Sequence, residues 1–244
     1  MLPPILAAGT PVGSWQGVPV HLVGGHDTAS AVVAMGAHPG AGSAFVSAGT
    51  WAIVGRERPE PDLSAAARAA NFTNEIGALG GVRFLKNLAG AWLIERCRPL
   101  WGDPSIADLV AAAATVDGPE RVLDVADDRF LNPDDMLAAI TADLGLATDA
   151  PAPVVVRGIV ESQVAGTATV LGQLGGVTDV YVFGGAQSAL YRRLLAERTG
   201  LPVCAGPVEA TALGNALVQG IALGVYDDLT DARSHLADRW ARAS

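Results

Sequence analysis

Ala44-Phe45-Val46-Ser47-Ala48-Gly49-Thr50-Trp51-Ala52-Ile53-Val54 reads as two apolar strands joined by a Gly49-Thr50 turn, a β-hairpin. A second run, Val180-Tyr181-Val182-Phe183, is apolar at every position and stops at Gly184-Gly185. Unbroken apolar character of that length suits a parallel strand buried on both faces. Working outward, helical patterns flank both stretches. Asp27 to Met35 follows Gly24-Gly25 and carries Asp27 or Thr28 as its cap. Val154 to Gly172 reads as a long helix, Leu190 to Glu197 as a helix closed by Gly200, and Glu209 to Leu223 as an Ala- and Gly-rich helix able to pack closely. His21-Leu22-Val23, Val82 to Leu85 and Val203-Cys204 are short strand candidates. Strands alternating with helices in this way define an α/β layered domain.

The remaining segments are less regular. Leu88 to Arg96 is apolar at helical spacing and is expected to be a helix. Ser105 to Val116 is an alanine-rich helix. Asn132-Pro133-Asp134-Asp135 predicts a helix start with proline in the first turn. Asp117 to Asn132, the most polar and acidic stretch, is expected to be a surface excursion.

Composition narrows the function. The 244 residues are 50% hydrophobic and 17% charged, with a net charge of −9. That hydrophobic share is the opposite of a disordered chain and can fill a sizeable core. An acidic chain has no electrostatic footprint for nucleic acid or anionic lipid. The sixteen basic residues include one lysine, Lys86, so any phosphate must be held by backbone N–H groups or a few local cations. Two cysteines, Cys97 and Cys204, are too few for a zinc site and are expected to be buried, reduced thiols. Glycines and charges interrupt every apolar stretch before it reaches the ~18 residues of a membrane span. The short apolar start carries Pro3-Pro4 and no basic region, unlike a secretory signal. A soluble cytoplasmic protein is the expectation.

Three strand ends stop in glycine and a small polar group: Gly24-Gly25-His26-Asp27, Ser47-Ala48-Gly49-Thr50 and Gly184-Gly185-Ala186-Gln187-Ser188. Ligands collect at such ends in α/β sheets, where glycine admits close approach and free N–H groups bind phosphate. Each also has a plain alternative: an N-cap at Asp27, a simple turn at Gly49-Thr50, and a strand end without ligand contact at Gly184-Gly185; His26 taken alone reads as a hydrogen-bonded partner of its neighbours. No Gly-Lys-Ser/Thr phosphate loop and no Gly-x-Gly-x-x-Gly after a strand is present.

The order of blocks is more specific than any one of them. Gly-Gly-His-Asp-Thr-Ala-Ser-Ala (24–31), Phe-Val-Ser-Ala-Gly-Thr-Trp (45–51), Asn-Phe-Thr-Asn-Glu (71–75), Phe-Leu-Lys-Asn-Leu-Ala-Gly-Ala-Trp-Leu (84–93), Val-Phe-Gly-Gly-Ala-Gln-Ser (182–188) and Gly-Pro-Val-Glu-Ala-Thr-Ala-Leu-Gly-Asn (206–215) follow one another. Together they resemble the C-terminal half of the FGGY carbohydrate kinases, most closely the rhamnulokinase branch, from about Pro11 to Leu236. The resemblance implies an actin-like (ribonuclease H-like) domain, a mixed sheet flanked by helices, spanning residues 1–244 as one half of a two-domain sugar kinase. It implies ATP and Mg2+ as cofactors and phosphorylation of a ketose such as L-rhamnulose at its 1-hydroxyl. Asp27 matches the family's catalytic base and His26 a sugar contact. Gly49 and Thr50 match a phosphate loop, Gly184, Gly185 and Ala186 the adenosine motif, and Asn215 a residue closing the nucleotide pocket. No role is assigned to Asn74 or Glu75.

Departures from the family are mild at the adenosine motif, where Ala186 replaces a third glycine, Ser188 a common asparagine and Glu197 an Asp or Asn. The larger departure is the family's first phosphate loop, Asp-x-Gly-Thr, which does not occur before Gly24. The expectation is therefore an isolated C-terminal domain, a split gene product or a gene model that begins late. An N-terminal kinase domain is the expected partner. A homodimer is a second expectation, because a cleft-facing side without its partner leaves apolar surface exposed. Two further readings are a nucleotide-binding domain without catalysis and a purely structural module.

Overall fold

The computed structural model describes residues 4–36, 40–184 and 187–240. The chain begins with a separate antiparallel pair, β1 (Pro11–Trp15) and β2 (Val18–His21), followed by α1 (Asp27–Val33). The central sheet comprises β3 (Ser43–Ala48), β4 (Trp51–Arg58), β5 (Thr73–Ile76), β6 (Val82–Ala89), β7 (Asp179–Phe183) and β8 (Val203–Ala205), in the order β5-β6-β4-β3-β7-β8. Neighbours from β5 to β3 run antiparallel; β3, β7 and β8 run parallel. The sheet is mixed, as expected.

Alternation along the strands builds two cores. Val46, Val54, Val180 and Val182 face one side, where they meet Val155, Ile159 and Val164 of α6 (Ala152–Leu174). The shorter helices α3 (Trp92–Cys97), α4 (Ile106–Ala113), α5 (Met136–Leu144) and α7 (Ala189–Thr199) complete that layer. Phe45, Leu85 and Phe183 face the other side against Ala31, Val32 and Met35, with Ala210 of α8 (Ala210–Ala222). Phe45 and Phe183 are fully buried and stack at 6.3 Å between centroids. Burying each side chain contributes about 1.5–3 kcal/mol. Both faces of β7 are thus covered, which is why its sequence carries no polar alternation.

α8 crosses α1 at very short range. A Cβ at Gly214 would overlap the backbone carbonyl of Ser30. The outermost helix, α9 (Leu229–Trp240), reaches in through Arg233, which is buried. Its guanidinium donates to the Val33 carbonyl at 2.9 Å, the Val32 carbonyl at 2.7 Å and the Glu57 carboxylate at 2.9 Å. The Val32 carbonyl already accepts from Met35 N–H at 3.1 Å, and Arg233 adds a second donor there and supplies one to Val33.

Several expectations are corrected. His21-Leu22-Val23 does not enter the central sheet: β2 ends at His21 and pairs only with β1. Leu88 and Ala89 are strand residues, because β6 pairs along its whole length with β4 and α3 begins only at Trp92. The helical spacing of Leu88 and Trp92 reflects a strand followed by a helix that both contact the α6-side core. Pro133 lies before α5, which is capped by Asp135. The acidic excursion is anchored: Leu123, Val125 and Phe130 are buried, and Val125 accepts a hydrogen bond from Ala89 N–H at 2.8 Å. β5, α2 (Ala65–Ala69) and α9 carry weak local patterns and were not anticipated. Cys97 is buried as expected, whereas Cys204 is half-exposed; both are free thiols. Helix α6 is long and apolar enough to cross a membrane by length and composition. Its apolar residues nevertheless form the core of the larger layer.

Candidate functional site

The first element of the site is the start of α1. His26, in extended conformation, is the N-cap, and its Nδ1 accepts from Thr28 N–H at 3.2 Å. The same N–H donates to Asp27 Oδ1 at 2.6 Å, and His26 Nδ1 lies 3.0 Å from that oxygen. A neutral imidazole protonated on Nε2 accepts from Thr28; a proton on Nδ1 turns the ring toward donation to Asp27 instead. Both arrangements hold the Asp27 carboxylate at the surface, 76% exposed. Among the described residues its Oδ2 accepts no hydrogen bond. The carbonyl of Asp27 is tied to α8 by the Thr211 hydroxyl at 3.2 Å.

The second element is the Gly49-Thr50 turn. Its carbonyls are fixed from behind: Ala91 N–H donates to Gly49 at 2.9 Å, while Gly90 and Trp92 N–H donate to Thr50 at 3.2 and 3.1 Å. Gly49 N–H is engaged by the Trp51 carbonyl at 3.1 Å. Thr50 is exposed, and neither its N–H nor its hydroxyl forms a hydrogen bond among the described residues. The turn therefore presents its donors outward through Thr50.

The third element is the end of β7. Gly184 has φ +98°, and a Cβ there would come within 2.5 Å of the Ala48 carbonyl. Only glycine lets the chain leave β7 so close to the residue preceding the turn. Gly185 and Ala186 lie outside the described residues. Beyond them Gln187 donates to the Gly206 carbonyl at 3.0 Å, and Ser188 caps α7.

These elements frame two clefts that share Gly49 and Thr50. One, of about 610 Å3, carries the polar side chains of His26, Asp27, Thr28, Ser47 and Asn87 beside the apolar Trp51 and Ile53 and is the more polar of the two. The other, of about 540 Å3, is mainly apolar, lined by Ile106, Val110, Ala111 and Ala114 together with Gln187 and Ser188. The fold thus brings His26, Asp27, Gly49 and Thr50 together and sets Gly184 against the same turn. Asn215 does not join them. It sits within α8, its Oδ1 buried without a partner, and lines neither cleft.

Reading the sequence missed Asn87, Trp51 and Thr211. Asn87 falls between Leu85 and Leu88 at the period-2 position of a strand, a signal obscured by the helical spacing that follows. The unassigned block at 71–75 is explained by local contacts. Asn74 brackets the backbone of Asp62 with two 2.9 Å hydrogen bonds, and Glu75 pairs with buried Arg83 at 2.8 Å. Burial pulls the Arg83 guanidinium below its usual value, opposed by the carboxylates of Glu75, Glu57 and Asp27.

The donor set bears on cofactors. Among the described residues no three His, Cys, Asp or Glu side chains converge as metal ligands. Asp27 is the one carboxylate lining the polar cleft. That fits Mg2+ held mainly by phosphates and water, with at most one carboxylate, rather than a protein cage. The apolar cleft beside unengaged Thr50 donors fits a nucleoside and its phosphates.

A hairpin followed by parallel strands, helices on both faces and a site at the strand ends define an actin-like ATPase domain of the kind found in sugar kinases. Residues 44–223 match the FGGY family of carbohydrate kinases, C-terminal domain, and the chain belongs to that family. It is 38% identical over 226 residues to a rhamnulokinase from Bacteroides thetaiotaomicron, covering 88% of this chain and 46% of that protein. A ligand-bound xylulose kinase from Lactobacillus acidophilus superposes with a TM-score of 0.70 at 14% identity, over 94% of this chain and 50% of that one. Plasmodium falciparum glycerol kinase with ADP gives 0.65 at 12% identity, over 90% and 46%. The chain spans about half the length of these relatives.

Proposed function

We propose that residues 1–244 form the general-base and nucleotide-binding domain of a rhamnulokinase-like enzyme. That enzyme transfers the γ-phosphoryl group of ATP to the 1-hydroxyl of a ketose such as L-rhamnulose. The observation that carries this reading is the Thr50 turn shared by two clefts, one holding an exposed carboxylate and the other apolar. The acceptor hydroxyl lies in the polar cleft and gives its proton to Asp27 as its oxygen bonds to the γ-phosphorus. The bond from that phosphorus to the bridging oxygen breaks, and ADP leaves. His26 orients the acceptor, and the Thr50 N–H and hydroxyl bind phosphate oxygens. Gly184, Gly185 and Ala186 line the nucleoside, whereas Asn215, within α8, lines neither cleft and is given no part in the step. Mg2+ supplies charge neutralisation on the phosphates when bound. Positioning and electrostatics do most of the work in such transfers. ATP as cosubstrate favours a cytoplasmic site of action.

A coupled ADP-release assay with L-rhamnulose tests the base. Asp27→Asn lowers turnover by about 10²–10⁴-fold; an unchanged rate removes Asp27 from the role.

One observation favours a second reading, that the chain binds nucleotide without turning over by itself: its relatives are about twice as long. On that reading calorimetry detects ATP binding, and sugar releases no ADP until a separate N-terminal kinase domain is supplied. The exposed apolar side chains Val12, Trp15 and Val18 on the β1–β2 pair support association, with that domain or with a second copy.

A further inference from the structure

Helix α1 covers only part of its face of the sheet. Ile53 is packed beneath it, on the core of Phe45 and Phe183. Two residues earlier on the same face of β4, Trp51 is 43% exposed. Single exposed apolar residues are ordinary on protein surfaces. This one lines a cleft whose other side chains are a carboxylate, an imidazole, three hydroxyls and a carboxamide, from Asp27, His26, Thr28, Ser47, Thr50 and Asn87, with Ile53 as its other apolar side chain. An indole face surrounded by hydrogen-bonding groups suits a ligand with one apolar C–H face and a polar edge. A saturated sugar ring has that shape; a phosphate chain or an extended polyol does not. The backbone that carries the indole is fixed, since Trp51 pairs with Ala89 and its carbonyl accepts from Gly49 N–H.

We infer that Trp51 is the platform on which the acceptor's ring lies, a specificity-determining residue that favours cyclic ketoses over open-chain polyols. The inference rests on the kinase reading above, in which the polar cleft takes the acceptor. Stacking on Trp51 orients the ring so that its exocyclic hydroxyl reaches Asp27. It also places an aromatic residue directly after Thr50, so the acceptor platform and the phosphate donors move as one unit.

The test uses the full chain with Trp51→Ala and Trp51→Phe, thermal melts confirming that both fold. Calorimetry and ligand-observed saturation-transfer NMR follow L-rhamnulose, its open-chain alditol, and ADP with Mg2+. Expected is a weakening of about 5- to 10-fold for L-rhamnulose with Trp51→Ala, the size of one aromatic contact. Trp51→Phe retains most of the affinity, and neither variant alters ADP or alditol binding. Unchanged L-rhamnulose binding in Trp51→Ala overturns the platform and leaves the kinase reading intact. Loss of ADP binding in its place overturns it by making the indole a nucleobase contact. Absence of ketose binding by the unsubstituted chain, with ADP bound normally, overturns the acceptor-cleft reading and the platform together.

Discussion

Asp27 combines two requirements that usually conflict. A base must be held still, and its lone pairs must stay available. The start of α1 meets both: Thr28 N–H fixes Oδ1, and Oδ2 accepts no hydrogen bond among the described residues. Asp27→Asn keeps an oxygen acceptor at this position, so its melting temperature is expected to stay within about 2–4 °C of the unsubstituted protein, as for a change below about 1 kcal/mol. A larger drop measured by calorimetry would mean that the charge holds the helix start as well. Cys97 gives a pH prediction at the same scale. Burial pushes its thiol up from 9.0 to about 12. The unfolded chain gives up this proton first as pH rises, so the contribution of Cys97 is complete below pH 9.0 and is lost as pH approaches about 12. Chemical denaturation at about pH 8 and about pH 10 is expected to show falling stability, and Cys97→Val to reduce the slope, by at most about 1.4 kcal/mol per pH unit.

At the scale of elements, the position of Asp27 depends on how α1 is gripped. Gly214 allows α8 to lie against the Ser30 carbonyl. Gly214→Ala forces the two helices apart and is expected to destabilise the fold by about 1–3 kcal/mol, read from urea unfolding. It also stretches the Thr211 bond to Asp27, so ADP binding should fall less than acceptor-dependent turnover. At the other end of α1, Arg233→Met removes the donor to the Val33 carbonyl and the Glu57 carboxylate, and the second donor to the Val32 carbonyl. The expected loss is about 1–3 kcal/mol. Faster hydrogen exchange confined to α1 and α9 would identify the clasp as its source. Neither α9 nor the clasp was legible in the sequence. Arg233 stands in a polar, weakly patterned helix, and its partners are 176 to 201 residues away. β6 was legible only in part, since the helical spacing from Leu88 onward masked its last two residues, Leu88 and Ala89.

Across the whole molecule, the sheet divides the chain into a larger layer around α6 and a smaller one formed by α1, α8 and α9. The two clefts open on either side of the Thr50 turn, at the end where β3 and β7 finish. The β1–β2 pair lies apart from the central sheet and exposes Trp15 and Val18. If that surface mediates association, sedimentation shows a mass that rises with concentration, and Trp15→Ser with Val18→Ser abolishes the rise. A monomer at all concentrations would assign those side chains to a different partner.

The amino-acid sequence by itself determined the α/β class, the β3–β4 hairpin, the buried strand β7 and the glycine-bounded ends that carry Asp27, Thr50 and Gly184. Each is a local pattern, set by side-chain period and by the backbone freedom of a few glycines. Tertiary structure decided what those ends share: that Asp27 and Thr50 line one cleft, that Trp51 and Asn87 line it with them, that Thr211 anchors the base, and that Asn215 stands away from both clefts. Those relations join segments 20 to 180 residues apart. They follow from strand order and helix packing, which depend on how two apolar faces are covered at once and not on any single stretch of residues.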